Sequence, residues 1–126
     1  MIQRLQTVYL FLVVLFSAII LMGKSISYIM LPFAILMTLV MILSVIGIFM
    51  YKNRKRQRTI VNTALIINIA AMILVAYYYF SSKQTGDTSA FNYRYFAPVL
   101  NLFFLILASR GIKKDDDLVK SYDRLR

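Results

Sequence analysis

The chain has 126 residues, of which 60% are hydrophobic, carries a net charge of +10 and contains neither cysteine nor histidine. So large an apolar share in so short a chain exceeds what a soluble core absorbs, and a compact membrane-embedded domain with no separate soluble module is expected. The composition excludes disulfide and thiol chemistry, histidine-ligated haem and the usual histidine-containing metal sites; it also removes the base that would activate a Ser, Thr or Tyr nucleophile.

Four apolar stretches occupy residues 5–22, 28–51, 60–80 and 92–109. Each approaches the ~20 residues that a helix needs to cross a hydrocarbon layer of ~30 Å. The stretches are continuous rather than alternating, which favours helices over a barrel. The expected fold is therefore all-α: a four-transmembrane-helix bundle over residues 1–112, followed by an amphipathic cytoplasmic tail helix over residues 113–126.

The first stretch, preceded by Arg4, imitates a signal peptide. It is longer than an h-region of ~7–15 residues and lacks a convincing small-x-small cleavage pattern, so it reads as a retained span. Pro32 opens the second stretch and Pro98 the fourth, where a missing amide hydrogen is tolerated. Met37 and Met41 in the second stretch are expected to pack or face lipid rather than bind a group.

Basic residues fall lopsidedly. Arg4, the connector residues Lys52, Arg54, Lys55, Arg56 and Arg58, and Arg110, Lys113, Lys114, Lys120, Arg124 and Arg126 share one side, leaving Lys24, Lys83 and Arg94 on the other. The positive-inside rule makes the first side cytoplasmic, with both termini inside and the loops at 23–27 and 81–90 outside. The location expected is a bacterial inner membrane. The connector cluster has no interleaved aromatic residue to stack a base, so anionic lipid headgroups are its expected partners and nucleic acid is disfavoured. Near the outer face, Tyr77, Tyr78, Tyr79, Phe80, Phe91, Tyr93, Tyr95 and Phe96 form an expected aromatic belt.

No carboxylate lies within a stretch, which weakens a proton-coupled carrier. Polar residues within the stretches include Ser17, Thr38, Ser44, Asn62, Asn68 and Asn101. Counted from the inner ends, Ser44, Asn68 and Asn101 fall at a similar depth and are expected to form one interhelical polar layer that fixes helix rotation.

The tail is expected to start a new helix after a break at Gly111. Asp115, Asp116 and Asp117 supply negative charge to its first turn, and Lys120, Arg124 and Arg126 lie toward its end. Leu118, Tyr122 and Leu125 form a stripe that must cover membrane surface, the connector or a partner protein. Arg4 lies on the same side, so pairing with Asp115 or Asp123 could dock the tail under the bundle, provided that the Leu118 and Tyr122 stripe is buried as well.

The opening Met1-Ile2-Gln3-Arg4-Leu5-Gln6-Thr7-Val8-Tyr9-Leu10 and the closing residues from Ile112 to Arg126 resemble a bacterial family of small four-span membrane proteins, the domain of unknown function 4293 family. The resemblance implies an inner-membrane four-helix fold, with Gln3, Arg4, Gln6, Asp115, Leu118, Asp123 and Arg124 at motif positions. Asp115-Asp116-Asp117 stands where the family pattern more often mixes Asp and Glu. The family brings no activity, substrate or cofactor. Function is accordingly expected to be non-catalytic: an accessory or scaffold subunit using its cytoplasmic ends for partner or lipid contact, with a small oligomeric transporter or channel as the alternative. No cofactor is implied, and the partners in view are lipid headgroups and a membrane-protein partner or further copies of the chain.

Overall fold

The computed structural model describes residues 2–22, 31–86 and 96–124. They form four helices, α1 (Ile2–Leu21), α2 (Leu31–Phe49), α3 (Arg54–Thr85) and α4 (Ala97–Arg124), with no strand among them. Contacts between Gln6 and Asp115, Ser17 and Asn101, and Asn62 and Ser109 pair ascending with descending helices. α1 packs on α2 and α4, and α3 packs on the same two, closing an antiparallel bundle.

Each helix buries residues at alternating three- and four-residue steps. The stripes are Gln6, Leu10, Val13, Ser17 and Ile20 on α1; Phe33, Met37, Val40, Ser44 and Gly47 on α2; Gln57, Val61, Ala64, Asn68 and Ala71 on α3; and Pro98, Asn101, Leu105, Ala108 and Ile112 on α4. This is the spacing of helices that cross at a shallow angle with interlocking side chains. The outer surface carries large apolar groups, among them Phe11, Ile66, Ile73 and Phe103, all more than half exposed. The outer surface is thus apolar where a bundle that folds in water is polar, while the inward stripes remain mostly apolar.

Length and apolarity qualify two helices to cross a membrane: Leu31–Phe49 and the Arg54–Ser81 part of α3. The apolar part of α1, Leu5–Leu21, is shorter, and α4 is interrupted by charge from Arg110 onward.

Three boundaries differ from expectation. α3 begins at Arg54, so the basic connector forms its first turns, and it continues to Thr85 where residues after 80 were expected to be loop. It stops at Gly86, whose φ of 74° gives the left-handed cap that a residue with a Cβ adopts at a cost. The break expected at Gly111 does not occur: α4 runs through it to Arg124, and the tail is a continuation of the fourth helix rather than a helix of its own. The reason is packing. A Cβ at Gly111 would lie 3.1 Å from Cγ of Gln6, so the missing side chain lets α1 approach. The expected loop 23–27, the start of the second stretch at 28–30, and Phe91, Tyr93, Tyr95 and Arg94 lie outside the described residues.

Stacked rings tie α1 to α4, with Phe104 lying 6.3 Å from Tyr9 and 5.8 Å from Phe16 between centroids. Gly47 faces Leu10 and Val61 at ordinary contact distance, 3.5 and 3.7 Å from where a Cβ would stand. Gly47→Ala should therefore fit and raise stability by about 0.5–1 kcal/mol through helix propensity, whereas Gly47→Leu overpacks the seam and should cost about 1–3 kcal/mol. Thermal unfolding of the purified variants reads both signs.

Candidate functional site

Two buried polar clusters stand out. The first lies between two apolar clusters. On one side are Leu10, Val13, Val40, Val61, Ala64, Leu105, Ala108 and Ile112; on the other are Ile20, Phe33, Met37 and Ala71. Between them Asn101 donates from Nδ2 to Ser17 Oγ at 2.9 Å, and Asn68 donates from Nδ2 to the Pro98 carbonyl at 2.9 Å. Ser17, Asn68 and Asn101 are each 0% exposed.

Of the three residues expected to share a layer, Asn68 and Asn101 each bond to another helix, through Pro98 and Ser17, and Ser44 does not. Gly47 faces Leu10 and Val61, and from that level Ser17 and Asn68 both lie about 10 Å along their helices, while Ser44 lies only about 4–5 Å along α2. Ser44 is buried one turn nearer the α2–α3 turn and donates its hydroxyl to the Val40 carbonyl of its own helix at 2.8 Å. The Oδ1 atoms of Asn68 and Asn101 are buried and accept no hydrogen bond among the described residues. A buried acceptor without a donor costs about 1–3 kcal/mol, so the layer selects one helix register more than it adds stability.

The second cluster lies at the end where both termini meet the α2–α3 turn. Gln57, 4% exposed, donates from Nε2 to the Gly47 carbonyl at 3.0 Å, satisfying one of the carbonyls that the end of α2 leaves unpaired. Gln6, also 4% exposed, donates from Nε2 to Asp115 Oδ2 at 3.3 Å across the gap that Gly111 leaves. Gln57 was not singled out from sequence, and Gln6 only as a motif position that the family resemblance implies. The available signal was spacing: Gln6 stands one step before Leu10, and Gln57 one step before Val61, on stripes that continue as core.

The expected docking of the tail is corrected at Leu118, Tyr122 and Asp123. Asp115 is engaged, by Gln6; the Arg4 side chain and Leu125 lie outside the described residues. Leu118 and Tyr122 are 43% and 72% exposed, and Asp123 is exposed, so the stripe is not folded under the bundle. Lys120 pairs with Asp116 at 3.3 Å within the helix. Of the connector cations, Lys52, Lys55 and Arg56 are exposed, and Arg54 and Arg58 are partly covered. At the opposite end, Met72, Val75, Tyr79, Phe80, Phe96 and Val99 line an apolar groove of about 440 Å³ between α3 and α4.

One family model, a domain of unknown function (DUF4293), matches residues 22–125. The chain belongs to this family. The DUF4293 match takes in α2, α3 and all of α4, including Asp115, Leu118, Asp123 and Arg124, while Gln3, Arg4 and Gln6 precede it. Comparison with curated proteins and with solved structures gave no match.

If Ser17 and Asn101 form a working pair, Ser17→Ala and Asn101→Ala should each destabilise, and a double-mutant cycle should show about 0.6–2 kcal/mol of coupling. Ser44→Ala, which removes only a bond within its own helix, should stay within about 0.5 kcal/mol in the same unfolding measurement.

Proposed function

We propose that this DUF4293 protein is a four-span protein of the bacterial inner membrane and a non-catalytic accessory or scaffold subunit that engages a partner through its cytoplasmic end. The observation that carries this reading is the exposed end of α4. Leu118, Val119 and Tyr122 stand on a helix that continues past Ile2, where α1 begins, and past Arg54, where α3 begins.

Membrane insertion is supported by the apolar outer surface of the bundle, by the two helices long enough to cross, and by the gathering of Lys52, Lys55, Arg56, Arg110, Lys113 and Lys114 at one end. In this reading those cations sit among anionic headgroups, and both termini are cytoplasmic. Since α4 is continuous through Gly111, its last turns project away from the bilayer instead of lying on it, which favours a protein partner over lipid for the Leu118 and Tyr122 face. The alternative, an oligomeric transporter or channel, needs Asn68 and Asn101 to face a wet passage. Both amides are sealed at 0% exposure between apolar clusters, which weighs against it.

Truncation after Asp117 keeps Ile112 and Asp115 while removing the exposed turns. Purified gently from membranes beside the intact chain, the truncated protein should lose a defined partner that the intact protein retains, as read by mass spectrometry. Recovery of nothing but self-associated chain from both would sink the accessory reading. Because the chain has no cysteine, single cysteines at Lys55 and Lys114 would report orientation through labelling from one side only.

A further inference from the structure

α3 carries a second stripe besides the one it buries. Asn62, Ile66, Ile69, Ile73, Ala76 and Phe80 recur at alternating four- and three-residue steps, and all are exposed on the outer surface of the bundle. That spacing is the pattern by which a helix offers interlocking side chains to another helix along a shallow crossing. The polar member is Asn62, about one turn inward of Arg58. Its Oδ1 accepts the Ser109 hydroxyl at 2.8 Å, which ties the carboxamide to α4 and orients it at the surface. A carboxamide has two donor hydrogens and two acceptor lone pairs, and this bond uses one lone pair.

We propose that the outward face of α3 is the contact between two copies of this chain, with Asn62 of each copy hydrogen-bonded to Asn62 of the other. A carboxamide is self-complementary, and copies inserted in one membrane share one orientation. A two-fold axis along the membrane normal then sets the two α3 helices parallel and brings Asn62 opposite its counterpart, with reciprocal Nδ2–H to Oδ1 bonds. In lipid, where apolar faces gain nothing by leaving the solvent, such a bond and close packing are what hold helices together. Ile66, Ile69 and Ile73 supply the packing, and Ala76 lets the backbones approach. Lys55, further along the same helix, puts like charges together and ends the contact at Thr59. The inference rests on the membrane reading of α3.

The absence of native cysteine makes the test direct. Single cysteines replacing Ile66 and Ile73 should form disulfide-linked dimers on mild oxidation in native membranes, while Phe103→Cys, equally exposed on the outer face of α4, should not. Adding Asn62→Leu should reduce the cross-linked fraction about three- to thirty-fold at fixed protein-to-lipid ratio, and Asn62→Gln should preserve much of it. Equal linking from Phe103→Cys, or indifference to Asn62→Leu, would overturn the proposal and assign Asn62 to lipid headgroups. Carbonate extraction separates the two levels: a chain released from membranes overturns the membrane reading and the dimer together. A chain that stays embedded without linking overturns only the dimer.

Discussion

Polar side chains placed on the inside of the bundle are the constraint on which the rest of this structure depends. Gln6, Ser17, Gln57, Asn68 and Asn101 all occupy the inward stripes, and each reaches a partner on a neighbouring helix. Apolar residues on facing helices can slide by a turn and still be apolar. A buried amide cannot, because a shift leaves a donor unpaired at a cost of about 1–3 kcal/mol. Four helices rich in interchangeable Leu, Ile and Val thereby acquire one register.

The geometry of the interior follows from that requirement. Gln57 reaches the Gly47 carbonyl, and Gly111 leaves room for Gln6, the one of the two glycines whose missing side chain a polar group from another helix needs. Pro98 contributes a carbonyl to Asn68 from the opening turn of α4, a position in which its missing amide hydrogen costs nothing. Large aliphatic residues such as Leu10, Met37, Leu105 and Ile112 fill the rest of the interior, and Phe104 stacks on Tyr9 and Phe16 along the α1–α4 edge.

Much of this was legible in the sequence, and the failures have physical causes. The all-helical architecture followed from unbroken apolar stretches, and Asn68 and Asn101 were recognisable because an amide inside such a stretch has few places to go. Ser44 was placed with them because depth was counted from helix ends inferred from charge, while the actual register is set by Gln6 at Gly111 and Gln57 at Gly47. Gly111 read as a break because glycine in mid-helix costs about 0.5–1 kcal/mol. Nothing local announces that Gln6, distant in sequence, occupies the space a side chain would take. The start of α3 was placed too late because its first turns are cationic, and charge says where a membrane surface lies rather than where a helix begins.

The continuity of α4 has a mechanical consequence. A helix of 28 residues is a rod about 42 Å long. One end carries Asn101 against Ser17, the middle bears on Gln6 through Gly111, and the other end stands clear of every other described helix. That arrangement is a lever with its fulcrum at Gly111. Whatever grips the rod at Tyr122 pulls on a helix whose nearest tie to the bundle is Asp115 on Gln6, and a load applied outside the bundle enters it there before it can reach the bond between Asn101 and Ser17.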